Sequence, residues 1–283
     1  MNGFDESSSS SAAGGISVIF SVYWNDDPDH FLQAFNSVCQ QTRPASEIII
    51  YVDGRVSVRL AQLLTCLSTS TGVRTIWGEK NIGAGLGRHK AIIDSENEII
   101  AIMDSDDISL PDRFEKQLRF MESQNLDVVG GFIEEFESRP GDCKIVREVP
   151  LLYSDISKFC KFRCPMNNVT VMFRKEAYFR AGGYSSQRVG EDYLLFYRMI
   201  KLGVSMANIP EVLVFVRAGY GMFKRRRGFS YWLAEVAIAT VMLRDKRINV
   251  FEWVFSIFSR LFFRLLPAAF IRSAYLRFFR RNV

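Results

Sequence analysis

Along the first half of the chain, short unbroken apolar runs alternate with longer stretches in which apolar residues recur every three or four places. An unbroken run of four to eight apolar residues suits a strand buried on both faces of a parallel sheet, and the wider spacing suits an amphipathic helix. The runs fall at 16–22, 47–52, 73–77 and 99–103, the third of them interrupted by Arg74 and Thr75. Helical patterns cover 29–40 and 55–70, the second with Leu60, Leu63, Leu64 and Leu67 on one face. Successive β-α units predict an α/β fold, a mostly parallel sheet with helices on both faces. Farther on, the pattern predicts a helix over 112–124, a strand over 126–133, a polar linker at 140–142 and a strand over 167–173. A short helix over 174–181, closed by Gly182 and Gly183, and an amphipathic helix over 193–202 follow.

The polar residues at the strand ends carry the chemistry. The fourth run stops at Asp104, Ser105, Asp106 and Asp107. Ligands of open α/β sheets lie beyond the carboxyl ends of the strands. Three clustered carboxylates repel one another, whereas Mg²⁺ or Mn²⁺ takes their hard oxygens and keeps positions open for a diphosphate. A helix start at Pro111 and Asp112 explains one acid, not three. A calcium loop fits Asp104, Asp106 and Glu115 but fails at Ser109, where that loop needs glycine. The second run also ends on an acid, Asp53, before Gly54. Asn81, Gly83, Gly85 and Gly87 precede Arg88 in a spacing that matches neither phosphate-loop pattern, yet alternate glycines permit close backbone approach and Arg88 suits a phosphate. Glu191 and Asp192 form a further acidic pair at a helix start, where the helix dipole alone also favours acids.

Composition changes the picture only at the carboxyl end. With 283 residues, 48% hydrophobic and 24% charged, the chain is an ordinary globular protein, one large domain with an appendage. The net charge is +5, but from Arg217 onward 14 Lys and Arg face three acids, a local +11 that leaves −6 for the first 216 residues. Five cysteines without framework spacing argue for a reducing compartment, and Cys160 and Cys164 lack the second pair a zinc site needs. Residues 1–15 read as a floppy Ser/Gly-rich leader. From 248 to 283 large apolar residues alternate with arginines, including Arg260, Arg264, Arg277 and Arg281, and Pro267 interrupts the pattern. Uncharged stretches there fall short of the roughly 20 residues a bilayer span needs, so an amphipathic segment lying in the membrane surface is expected, against the alternative of a helical subdomain packed on the core. The expected division is a leader at 1–15, a catalytic domain at 16–220 and a helical membrane-associating region at 221–283, on the cytoplasmic face of the cell membrane.

Several of these stretches carry a likeness. VIFSVYWN at 18–25, the strand ending at Asp53, the 81–90 loop, Asp104 to Asp107 with Pro111, Arg113 and Phe114, and Gly190-Glu191-Asp192 follow one another in this order. The order resembles that of family 2 glycosyltransferases with the GT-A fold, above all the bacterial branch that assembles exopolysaccharides such as amylovoran and colanic acid. The resemblance implies inverting transfer of a sugar from a nucleotide-diphosphate sugar, expected to be a UDP-sugar, to a polyprenyl-linked saccharide, with no nucleic-acid partner. It implies that Ser21 and Asp53 contact the base and ribose, that Arg88 supports the nucleotide, and that Asp104-Ser105-Asp106 is the DxD motif. Asp106 would be the direct ligand of Mn²⁺ or Mg²⁺ with Asp107 beside it, and Asp192 the general base with Glu191 as its neighbour. One departure is Val52-Asp53-Gly54-Arg55, where Asp-Asp-Gly-Ser is common. Arg225, Arg226 and Arg227 are only loosely similar to the basic motif of processive synthases, so single transfers are expected. A sugar-phosphate nucleotidyltransferase would need a glycine-rich loop with Arg and Lys after strand one, which 22–29 lacks; a non-catalytic membrane-bound nucleotide-sugar-binding protein would leave the aspartates idle.

Overall fold

The first four apolar runs become β1 (Ile16–Val22), β2 (Glu47–Val52), β3 (Val73–Trp77) and β4 (Ile99–Ile102) in a computed structural model that describes residues 14–218, 229–265 and 281–282. They lie side by side in the order β3-β2-β1-β4, all parallel. Alternate side chains supply two cores: Ile19, Ile49, Tyr51 and Ile100 point to one face, and Val18, Phe20, Ile50 and Ala101 to the other. Helices α1 (Pro28–Cys39), α2 (Val58–Leu67) and α4 (Arg113–Ser123) cover the second face, and α3 (Ala84–Asp94) covers the first. Burial on both faces is why β1, β2 and β4 read as apolar runs, whereas β3, at the edge of the sheet, is half-buried and carries Arg74 and Thr75.

The second half departs from a simple parallel pattern. After β5 (Ile108–Ser109), β6 (Val128–Phe136) lies parallel to β9 (Met206–Arg217), while β7 (Ile145–Arg147) and β8 (Met172–Arg174) run antiparallel to β6. Strand β8 also pairs antiparallel with β4 and so joins the two halves of the sheet. The run at 167–173 is therefore a strand only at its end. Before β8 comes a 3-10 turn, Asn168–Thr170, because Asn167 donates to the Gly131 carbonyl at 2.8 Å and the Gly131 amide donates to the Thr170 hydroxyl at 3.0 Å. Side chains that claim backbone groups in this way replace the ladder. The register of β9 against β6 shifts after Gly131, skipping Pro210 and Glu211, a bulge at a residue that has no amide to give.

Helices α5 (Tyr153–Phe159), α6 (Lys175–Arg180) and α7 (Glu191–Lys201) lie on the α3 side with α8 (Phe229–Arg244) and α9 (Val250–Leu265); the two-residue β10 (Arg281–Asn282) pairs with β7. Ile238, Ala239, Met242 and Ile248 are buried in the same cluster as Tyr193 and Phe196. The indole of Trp232 donates to the Ile257 carbonyl at 3.1 Å and that of Trp253 to the Thr240 hydroxyl at 3.2 Å, tying α8 to α9. This helix pair thus packs on the core. Its outward face is apolar as well: Phe251, Phe255 and Phe258 are 86%, 67% and 65% exposed. Among the described residues no helix is long and apolar enough to cross a membrane. The leader to residue 13, Arg225 to Arg227, Pro267 and Arg277 lie outside the described residues.

Candidate functional site

Two connected cavities open at the carboxyl edge of the sheet. The first, of about 540 Å³, lies among Ser21, Asp26, Asp53, Arg88, Asp104 and Asp106. The second, of about 600 Å³, shares Arg88 and Asp104 with it and extends past Asp107, Glu191 and Asp192 to α8 and α9.

The first cavity is built by Asp53 and the glycine loop. Both carboxylate oxygens of Asp53 accept backbone amides, Ile82 at 2.6 Å and Gly83 at 2.9 Å, so the acid that ends β2 also shapes the loop leading into α3. A Cβ at position 85 would lie 2.7 Å from the Glu191 Cγ, and one at 87 would lie 2.6 Å from the Tyr51 ring. These glycines therefore let α3 settle against β2 and the start of α7, a use for the spacing different from the ligand approach that the sequence suggested. Seated in this way, Arg88 is 7% exposed and paired with Asp104, with Glu191 3.9 Å from its other nitrogen. Burial opposes its charge, but Asp104 in particular keeps the guanidinium protonated, its pKa raised. Its Nε is buried without a hydrogen-bond partner.

Asp26 joins this site, which the sequence did not reveal. Its carboxylate accepts the Tyr23 amide at 3.0 Å; burial pushes its pKa up to about 7, and the charges of Asp106 and Asp104 add to the effect. The neighbouring Asp27 is the cap of α1, accepting from Asp29 and His30, and a run of acids ahead of a helix reads as capping alone. Asp107 faces the second cavity, where its carboxylate is 3% exposed and accepts the Arg217 amide at 2.9 Å. Burial, then Asp106 and Asp104, raise its pKa well above the ordinary range. Beneath these acids the fully buried Arg113 donates to the Ile102 carbonyl at 3.0 Å and to Gln117 at 2.9 Å, fixing the end of β4. Burial lowers its pKa to about 9.

The acidic pair opens α7 after Gly190, whose φ of 73° is left-handed. Burial, and then Asp192 beside it, push the pKa of Glu191 up to about 7 against the pull of Arg88. Asp192 accepts its neighbour's amide, Tyr193, at 2.7 Å, and the Cys164 sulfur lies 3.9 Å away. Arg188, also unmarked in the sequence, reaches from the loop before α7 to the Asn81 side chain at 3.0 Å and its carbonyl at 3.1 Å, joining the two rims.

The structure thus brings Ser21, Asp53, Arg88, Asp104 and Asp106 to one cavity, and Asp107, Glu191 and Asp192 to the other. Among the described residues no three His, Cys, Asp or Glu side chains form a ready-made metal cage. The arrangement offers a buried cation among acids next to a second space with its own acid pair. It can hold a charged leaving group on one side and accept a proton on the other.

Residues 17–186 match the family described as Glycosyl transferase family 2. The amylovoran biosynthesis glycosyltransferase AmsE of Erwinia amylovora is 34% identical over 261 residues, covering 92% of this chain and 97% of its own. An Escherichia coli UDP-Gal:alpha-D-GlcNAc-diphosphoundecaprenol beta-1,3-galactosyltransferase is 32% identical over 267 residues, covering 94% and 97%. In fold, the chain is similar to S. aureus TarS 1-349 in complex with UDP-GlcNAc, with a TM-score of 0.65 at 16% identity over 93% of this chain and 73% of that one. A GT-A sheet with its acids at the carboxyl edge, a family match over residues 17–186 and relatives above 30% identity along nearly their whole length lead to one conclusion: the chain belongs to glycosyltransferase family 2.

Proposed function

We propose that this protein is an inverting, non-processive glycosyltransferase that moves a hexosyl group from a UDP-sugar to a polyprenyl-linked saccharide in bacterial surface or exopolysaccharide synthesis. The observation that carries this reading is the pair of cavities joined at Arg88 and Asp104, with a donor-type set of residues in one and an acidic pair in the other. The name of the Escherichia coli relative points to the same donor and acceptor class, and that of the Erwinia relative to exopolysaccharide synthesis. Ser21 and Asp53 would hold the nucleoside, with Asp53 already fixed by the loop amides. Asp104 and Asp106 suit Mn²⁺ or Mg²⁺, because their charges are close enough to raise the pKa of Asp26 and a hard cation relieves that crowding. When bound, such an ion neutralises the charge developing on the departing diphosphate.

The remaining steps belong to the chain itself. Asp192 takes the proton of the attacking acceptor hydroxyl in the second cavity, and Arg88 ties Asp104 to Glu191 so that donor and acceptor sides keep one spacing. Direct displacement at the anomeric carbon inverts its configuration. The catalytic unit is residues 16–220. Helices α8 and α9 provide a wall of the acceptor cavity, and region 221–283 associates with the cytoplasmic membrane face, supported by the exposed Phe251, Phe255 and Phe258 and by the excess of basic residues from Arg217 onward. The test is a panel of UDP-hexoses with Mn²⁺ and a lipid extract containing polyprenyl-linked saccharides, read as UDP release and as labelled lipid. Transfer from at least one donor, abolished by chelator, is the expected result; no UDP-sugar binding or transfer across the panel would refute the reading.

A further inference from the structure

The second cavity has a wall that this mechanism does not use. Beyond Arg88 and Asp104 it is lined by Arg147 at the end of β7, Arg163 after α5 and Arg260 on α9. None of these three lines the first cavity. They come from three separate parts of the chain, and each lines the space that Asp192 also lines. Arg260 is held in place: it donates to the Phe162 carbonyl at 2.7 Å and the Glu235 carbonyl at 3.2 Å, and its guanidinium lies 5.9 Å from the centre of the Tyr193 ring. Arg147 acts electrostatically on Cys164, whose sulfur is 3.9 Å from Asp192, so this basic wall adjoins the acid pair.

Planar guanidinium groups bind phosphate oxygens with two parallel hydrogen bonds each, and several of them facing one pocket match an anion with more than one phosphate. The helix that carries Arg260 also carries the exposed Phe251, Phe255 and Phe258. The acid and the basic wall that line one cavity correspond to two adjoining parts of one amphiphile, a sugar and its diphosphate, and the opposite, outward face of the same helix offers an apolar surface for a hydrocarbon chain. We infer that Arg147, Arg163 and Arg260 form an acceptor-side diphosphate site, distinct from the donor site, that holds the diphosphate ester of a glycolipid while its sugar hydroxyl reaches Asp192. This rests on the proposal that the second cavity takes the acceptor. The diphosphate is bound and not cleaved, so no bond changes at this site.

The probe is dodecyl diphosphate, titrated by calorimetry into the full chain saturated with UDP and Mn²⁺. The wild type is expected to bind it with UDP in place. Arg147→Gln and Arg163→Gln, in different parts of the chain, should each weaken it about tenfold or more, with Arg163→Lys intermediate and UDP affinity unchanged. Competition between dodecyl diphosphate and UDP, or equal binding by wild type and both Gln variants, would overturn the inference. Inorganic diphosphate binding as tightly as the alkyl ester would overturn the glycolipid assignment. The UDP titration by itself tests the donor reading, and the variants are compared with dodecyl diphosphate whatever that titration gives.

Discussion

The two ends of the parallel strands treat buried acids in opposite ways. At the amino edge, Glu47 of β2 is 7% exposed and fully engaged: the Ser17 hydroxyl donates to it, as do Arg74 at 2.9 Å, the Glu96 amide at 2.6 Å and Asn97 at 3.2 Å. Burial alone would raise its pKa, yet these donors win and hold it below the ordinary value. At the carboxyl edge, Asp26 and Glu191 are both pushed up to about 7 and Arg88 keeps an unpartnered Nε. The same sheet therefore has one edge where a buried acid is answered by donors around it and one where Asp26 and Glu191 are crowded by burial and neighbouring acids. A satisfied buried charge stabilises a fold, whereas crowded carboxylates cost stability and are retained where a ligand or a proton supplies the balance.

Substitutions can break this contrast, and the largest effects should come from the carboxyl edge. Asp192→Asn removes the proposed base and is expected to lower transfer by about 10²–10⁴, with UDP affinity intact by calorimetry; loss of UDP binding with normal turnover per bound donor would move Asp192 out of the chemistry. Asp106→Ala should lower transfer by about 10²–10³ at an unchanged melting temperature. At the amino edge the ranking reverses. Glu47→Gln should cost about 2 kcal/mol of stability in urea titrations while leaving activity per folded molecule unaltered.

That cost also has a pH signature. Because the folded-state pKa of Glu47 lies below its ordinary 4.5, the stabilisation is present above that value and is lost as pH falls through the lower folded pKa, so wild type and Glu47→Gln should converge as pH drops below 4.5. The smallest effect should have the opposite sign. Asp26 has a folded pKa raised from 3.8 to about 7, so its ionisation burdens the fold increasingly between those values. In chelator, Asp26→Asn should be more stable than wild type by about 1 kcal/mol at pH 8, and by less at pH 5. A variant destabilised at pH 8 would mean that the Asp26 carboxylate is satisfied after all.

Strands β1 and β2 were legible to the residue because burial on both faces leaves little alternation to misread, the half-buried β3 was legible as a short Val73-to-Trp77 stretch, and Asp53 and Asp104 to Asp107 stood out as acids ending strands. The rest depended on partners distant in sequence. Strand β9 hides behind Pro210 and Glu211, and its place beside β6 is set by a pairing some 80 residues away in sequence. Asp26 carries no local pattern of its own, and only the nearby charges of Asp106 and Asp104 distinguish it. Arg147, Arg163 and Arg188 carry no local pattern. The packing of α9 was equally hidden: Trp253 packs against the core cluster while Phe251 and Phe255 are exposed, and an amphipathic pattern with apolar residues on both sides does not say which side is covered. That packing also means that deleting the carboxyl region would strip the Tyr193 cluster, so membrane binding is better tested with Phe251→Ser and Phe255→Ser in the intact chain, which should reduce pelleting with anionic vesicles.

The central claim is that the carboxyl edge of the sheet is a nucleotide-sugar site and the amino edge a purely structural one. Calorimetric titration of UDP with Mn²⁺ into wild type, Asp106→Ala and Glu47→Gln tests it most directly. The account predicts binding to wild type and Glu47→Gln with equal affinity and a loss of at least about tenfold in Asp106→Ala; equal affinity in all three proteins, or no UDP binding by the wild type, would contradict it.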